Sequence, residues 1–189
     1  MQGIFSGTLA YLFNVYDGST PFSEIVRTAR DSGYTEPDPR DDLSGMDVAR
    51  KLTILSREFG HELELGDFPV QSLVPEALRD CSIDEFLERL PEYDADMQAM
   101  YEEARANGKS LRYVGRLDEQ GNAAVGVESV GAEHPFSHIA LTDNIVQFET
   151  DRYSANPLGV EGPGAGPEVT AGGVFSDLLR LAKYVSEGD

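Results

Sequence analysis

The sequence predicts an α+β fold, with helices packed on a largely antiparallel sheet. Three observations carry this expectation. Apolar residues recur at helical spacing through the first part of the chain. After Gly108 the pattern changes to strand-like alternation. A glycine-rich turn then leads into one last helical stretch near the C-terminus.

Taken in order, Gly3 to Tyr16 reads as a helix with Leu9, Leu12 and Phe13 at helical spacing, stopped by Asp17-Gly18. A second helix is expected over Pro21 to Ser32, with Thr20 as N-cap, Pro21 in the first turn and Gly33 as its end. Two prolines make Tyr34 to Asp42 a loop. Ser44 then caps a helix to Phe59 whose stripe is Val48, Leu52, Leu55 and Phe59, with Gly60 as the stop. A short strand-like piece begins at Glu62, followed by helices near Ile83 to Leu90 and Tyr93 to Ala106. Ser110 to Leu117 and Ala123 to Val130 form a hairpin across Asp118-Glu119-Gln120-Gly121-Asn122. Asn144 to Tyr153 and Leu158 to Val160 are further strands, and Val169 to Val185 is the last helix.

Composition narrows the function classes. A length of 189 residues suits one ordinary domain with its own core. Hydrophobic residues at 40% and charged residues at 26% exclude a disordered chain. No apolar run approaches the roughly 20 residues of a spanning helix. Met1 to Asn14 lacks the basic start of a signal peptide. The net charge of −19 repels nucleic acid and anionic membranes, so neither is an expected partner. Cys81 is the single cysteine, so a cytoplasmic setting is expected.

Three segments hold residue types that a fold alone does not require. The polar loop Glu36 to Asp42 runs into a helix where Asp47 and Lys51, four apart, share a face. Carboxylates beside an Asp/Lys face can hold a small amino acid: Glu36 accepts an ammonium, and Lys51 serves proton transfer. On spacing alone an exposed ion pair, contributing about 0.3–0.5 kcal/mol, is the favoured account. The turn Gly162-Pro163-Gly164-Ala165-Gly166-Pro167 lets backbone amides approach a flat ring or an anion, yet lacks the βαβ context of a dinucleotide fingerprint. Phe5-Ser6-Gly7-Thr8 offers hydroxyls that either bind a ligand or cap the first helix, and locally capping is favoured. His61, His134 and His138 are scattered, so no metal site is expected.

Together these segments resemble a known family. The run from Gly33 to Leu52 is similar to the signature of homoserine dehydrogenases. Gly3 to Leu9 resembles the opening of their catalytic domain. Gly164-Ala165-Gly166, with Val169-Thr170-Ala171 and Gly173 to Leu179, resembles their C-terminal segment. Lys109 to Gly115 is most like the dehydrogenase half of bifunctional aspartokinase/homoserine dehydrogenases.

The resemblance implies interconversion of L-homoserine and L-aspartate 4-semialdehyde with NADP or NAD, on the route to threonine and methionine. It implies catalytic roles for Lys51 and Asp47. Glu36, Tyr34, Asp42, Gly7 and Thr8 would bind substrate, and Gly164, Ala165 and Gly166 would lie near the nicotinamide. Residues 1–160 would be the catalytic and dimerisation domain, with a homodimer formed through an apolar sheet face. Residues 161–189 would be a turn and helix that close onto a Rossmann domain. Only Met1 and Gln2 precede Gly3, so the chain alone is expected to be inactive. The competing expectation is a non-catalytic amino-acid-sensing or dimerisation module.

Overall fold

The computed structural model describes residues 1–186. Its strands are β1 (Gln2–Ile4), β2 (Lys109–Leu117), β3 (Ala123–Gly131), β4 (Asn144–Phe148) and β5 (Leu158–Gly162). Its helices are α1 (Gly7–Val15), α2 (Phe22–Asp31), α3 (Pro39–Leu43), α4 (Met46–Glu58), α5 (Ile83–Arg89), α6 (Asp94–Ala106) and α7 (Pro167–Ser186). The strands form one sheet in the order β3-β2-β1-β4-β5, and every neighbouring pair is antiparallel. The α+β expectation therefore holds, including the β2–β3 hairpin, where Asp118 accepts hydrogen bonds from the amides of Gln120 and Asn122.

Alternation along the strands sets two packing layers. Leu111, Tyr113, Leu117 and Val125 join the main core with Leu9, Leu12 and Phe13 of α1, Ile25 and Val26 of α2, and Val48 and Leu52 of α4. On the opposite side, Ile4, Val114, Val130 and Ile145 are covered by Phe136 and Ile139 from the segment after β3, together with Ala10. Arg112 is buried there and makes no ion pair among the described residues. Its guanidinium donates to the carbonyls of Phe13, Leu111, Phe136 and Ser137, and burial lowers its pKa. The rest of that side is polar: Gln2 donates to Gln147, and Arg116 pairs with Glu128. The apolar alternation expected to serve a second subunit is thus used within the chain.

Several local expectations need correction. The N-terminus is not helical from Gly3. It pairs as β1 between β2 and β4, and the helix starts only after Ser6 accepts a hydrogen bond from the Leu9 amide. Thr20 caps nothing, because Pro21 itself is the N-cap of α2. The proline loop contains α3, with Pro39 in its first turn and Asp38 as its cap. Gly45, at φ +73°, replaces Ser44 as N-cap of α4, and a Cβ there would collide with the Tyr113 hydroxyl. Phe59 is 51% exposed and falls outside the stripe. The piece after Glu62 contributes only an isolated parallel bridge, Val70 to Val125. The strand from Asn144 stops at Phe148. Among the described residues no helix is long and apolar enough to cross a membrane.

Candidate active site

β1 delivers the Phe5 carbonyl to the edge of the helical layer, and α4 presents Lys51 to it. The Lys51 Nζ donates to Phe5 O at 2.8 Å and pairs with Asp47 at 2.7 Å. The Lys51 and Asp47 side chains are 44% and 53% exposed, so the pair is a half-open i,i+4 contact. What spacing could not reveal is the third partner: the strand-end carbonyl fixes where the ammonium points.

The loop after α2 closes the next wall. Gly33, at φ +76°, turns the chain out of the helix, and the Tyr34 ring stacks on Tyr11 with centroids 4.4 Å apart. Thr8 Oγ1 donates to the Tyr34 carbonyl at 2.7 Å. Arg40 pins the loop from behind, pairing with Asp38 and donating to the carbonyls of Leu78, Arg79 and Cys81. Asp42 accepts the Glu36 amide at 2.8 Å and lies against the Thr8 hydroxyl. Burial raises the Asp42 pKa above the ordinary carboxylate value, and the nearby charges of Asp41 and Asp47 add to this. The Glu36 amide and Thr8 hydroxyl pull the other way without cancelling it. Glu36 is exposed, and among the described residues its carboxylate accepts no hydrogen bond. Gly7 is tight for packing, since a Cβ there would sit 3.0 Å from the Thr142 carbonyl oxygen.

These contacts bring Thr8, Tyr34, Glu36, Asp42, Asp47 and Lys51 into one open notch at the amino ends of α1 and α4. The glycine turn meets the start of β4 through one residue. Gly164 lies flat against the Asn144 carboxamide, while a Cβ at Gly166 would meet nothing, and Ala165 is exposed. The Phe5 carbonyl is the participant that sequence reasoning misses, because a backbone carbonyl carries no sequence signal. A concavity of about 670 Å³ lies elsewhere and is itself charged, with Met1 and Arg116 lining it beside Asp118, Glu119, Glu149 and Asp151. The notch is the candidate site because it gathers Glu36, Asp42, Asp47 and Lys51, the residues the sequence singles out, and none of these lines that concavity. The histidines are otherwise engaged: His134 accepts from the Phe136 amide, and His138 contacts the Ala132 carbonyl. Among the described residues no group of three or more His, Cys, Asp or Glu is placed to hold a metal.

Residues 1–179 match the family model for homoserine dehydrogenase. This chain belongs to the homoserine dehydrogenase family. It is 54% identical over 187 residues to the chloroplastic bifunctional aspartokinase/homoserine dehydrogenase 2 of Zea mays, covering 98% of this chain and 20% of that protein. The homoserine dehydrogenase of Schizosaccharomyces pombe is 48% identical over 197 residues, covering 100% of this chain and 52% of that one. A Candida auris protein of unknown function, solved by crystallography, superposes with a TM-score of 0.90 at 46% identity, over 96% of this chain and 52% of that chain. The chain thus spans about half the length of the fungal homoserine dehydrogenase and about a fifth of the plant bifunctional enzyme.

Proposed function

We propose that this chain is the substrate-binding portion of an enzyme that interconverts L-homoserine and L-aspartate 4-semialdehyde. The observation that carries the reading is Lys51, an ammonium held between Asp47 and the Phe5 carbonyl beside a carboxylate-lined notch. A bound NAD or NADP supplies the hydride acceptor. The residues of this chain do the rest. Glu36, whose carboxylate accepts no hydrogen bond among the described residues, takes the substrate ammonium, and Asp42 and Thr8 border the same space. Lys51 faces the reacting oxygen, where a fixed ammonium stabilises the alkoxide left as the hydroxyl proton departs and returns a proton in the reverse direction.

The resemblance would place Gly164, Ala165 and Gly166 near the nicotinamide of a dinucleotide, with Gly164 packed against the Asn144 carboxamide. Nothing in the chain resembles a phosphate loop, so the pyrophosphate contacts belong to a separate dinucleotide-binding domain. Against that domain α7 would lay its apolar face. The 189-residue chain is therefore expected to oxidise no homoserine by itself, and to do so when joined to such a domain. Absence of homoserine-dependent dinucleotide reduction in the joined protein would overturn the reading. Micromolar dinucleotide affinity of the chain alone, about −8 kcal/mol, would overturn the division of labour.

The same reading includes a homodimer through the sheet. With the apolar alternation used internally, the available contact is the polar patch of Gln2, Arg116, Glu128 and Gln147. Sedimentation at micromolar concentration and moderate salt checks this, and a monomer contradicts it.

A further inference from the structure

α3 carries Asp42 but has only five residues, too few to hold their own geometry in water. Its orientation therefore comes from what it touches. Pro39 and Leu43 are buried, and the Leu73 amide donates to the Leu43 carbonyl at the far end. Apolar burial sets how deep the helix lies, yet it is non-directional and leaves the rotation about the axis open. The directional contacts of the near end converge on Arg40. Its Nε donates to both carboxylate oxygens of Asp38, at 3.0 and 3.1 Å, and its Nη2 to Asp38 Oδ2 at 2.7 Å. Its Nη1 donates to the carbonyls of Leu78, Arg79 and Cys81, at 3.2, 3.1 and 2.7 Å. The guanidinium also lies 5.5 Å from the centre of the Phe86 ring. One planar fork thus ties the cap of α3 to the turn of residues 78–81 ahead of α5. With side chains 16% and 25% exposed, this clamp is better sheltered than the Lys51–Asp47 pair. The hydrogen bond from Arg40 also holds the Asp38 carboxyl below its usual range, against the opposing effect of burial, so the anchor stays charged.

We propose that Arg40 is a positioning residue for the ammonium end of the substrate: by fixing the rotation of α3 it sets where Asp42, and through it Glu36, stand relative to Lys51. Arg40 and Asp42 are two positions apart, so they leave the helix on opposite sides. Arg40 reaches back to the turn ahead of α5, while Asp42 reaches forward and accepts the Glu36 amide at 2.8 Å. Any turn of α3 about its axis therefore moves both carboxylates of the ammonium end. The other end of the notch is built separately. Lys51 is held by Asp47 and the Phe5 carbonyl, and none of these contacts involves Arg40. The geometry needs a guanidinium, because a lysine ammonium can keep Asp38 but lacks the fork that reaches three carbonyls at the same time. The inference rests on the proposed function above and says what orients one end of that site.

The test is a kinetic double-mutant cycle on the intact enzyme that joins this chain to its dinucleotide-binding domain. Arg40→Lys is expected to raise the homoserine KM about tenfold and to leave kcat within about twofold, because only the unreacting end is displaced. In a Glu36→Gln background the same substitution is expected to raise KM by about threefold or less, since Asp42 alone remains to be displaced. A merely structural role would lower the thermal midpoint in both backgrounds and show no such coupling. Asp38→Asn keeps a cap for the Arg40 amide and weakens the clamp from its other side. It should raise KM in the same direction by a smaller factor, and it takes the same place in the cycle if Arg40→Lys does not fold. Additive effects on KM overturn the proposal. So does an unchanged KM in both clamp variants, or a fall in kcat with KM unchanged. A wild type that oxidises no homoserine, or an unchanged KM in Glu36→Gln, would instead overturn the proposed function, and the role of Arg40 with it.

Discussion

Leucines in α4 and α7 meet opposite fates. Leu52 is fully buried in the core that α4 forms with the sheet, whereas Leu178 and Leu179 are 58% and 55% exposed on a helix that buries no side chain. Both helices carry amphipathic patterns, so residue type does not separate them. What separates them is whether the chain supplies a second surface. α4 finds one in β2, whose Tyr113 and Leu117 share its core. α7 follows the solvent-facing strand β5 and offers Val174, Phe175, Leu178 and Leu181 to nothing within the described residues. A contiguous apolar helix face of this kind marks a surface built for another partner.

Paired substitutions break or sharpen this contrast. Leu52→Ala should cost about 2–5 kcal/mol of stability, through lost transfer energy and a cavity that neighbours fill only in part. Leu179→Ala should stay within about 0.5 kcal/mol in the same 189-residue chain. Urea unfolding of both variants measures the difference. Equal losses would mean that α7 packs against this chain in solution. Joined to a dinucleotide-binding domain, Leu179→Ala should become costly while Leu52→Ala stays as it was.

The ion pairs of the two helices give the next contrast. Arg180 and Asp177 on α7 are 83% and 78% exposed, and a surface pair of that kind contributes little. Lys51 has the Phe5 carbonyl as well as Asp47. In the intact enzyme Lys51→Ala should lower turnover by at least about 100-fold, the usual loss for a positioned acid or base. Its thermal midpoint should barely move, because the pair is half exposed. Near-normal kcat would remove Lys51 from the mechanism.

Much of this was legible in the sequence, and the exceptions have physical causes. Period located α2, α4, α5 and α6 because each buries one face against a continuous core, whereas the caps expected at Thr20 and Ser44 lie at Pro21 and Gly45. The β2–β3 hairpin was legible from its Asp-to-Asn turn. β1 was not, since three residues between Gln2 and Ile4 hold too little alternation to outweigh the helical pattern that follows them. α3 was hidden because proline reads as a breaker, although Pro39 occupies the one helical turn that tolerates it. At the site, the side chains of Glu36, Asp42, Asp47 and Lys51 were visible as residue types, but their grouping was not. It depends on a strand-end carbonyl and on Thr8 reaching Tyr34 across 26 residues of sequence.

Within the notch, Glu36 and Lys51 should separate kinetically. Glu36→Gln keeps the loop, because its structural contact is the backbone amide donating to Asp42. It should raise the homoserine KM by about tenfold, more than it lowers kcat, since its partner is the unreacting ammonium. Steady-state kinetics on the intact enzyme reads the split. A pure kcat defect would move Glu36 from binding to chemistry.

The smallest expected effect belongs to Asp42, and its sign is the informative part. Burial raises its carboxyl pKa in the folded chain, so the folded state holds that proton more tightly than the unfolded state does. Stability should therefore fall as pH rises from the ordinary carboxylate value through the raised one, and be regained on acidification through the same window. Ligand binding should run the other way. An ammonium in the notch favours the charged carboxylate, so homoserine affinity should rise across that window, by at most about tenfold per pH unit. Asp42→Asn removes the titrating group while keeping an acceptor for the Glu36 amide. Urea unfolding of the 189-residue chain and calorimetric titration of homoserine into the intact enzyme, each over a pH series, should show both slopes flatten in the variant. α7 supplies the control: Glu168→Gln, on an exposed helix, should leave both slopes unchanged. If the Asp42→Asn slopes match the wild type, another carboxylate of the notch carries the linkage, and Asp42 holds the loop without reading the substrate's charge.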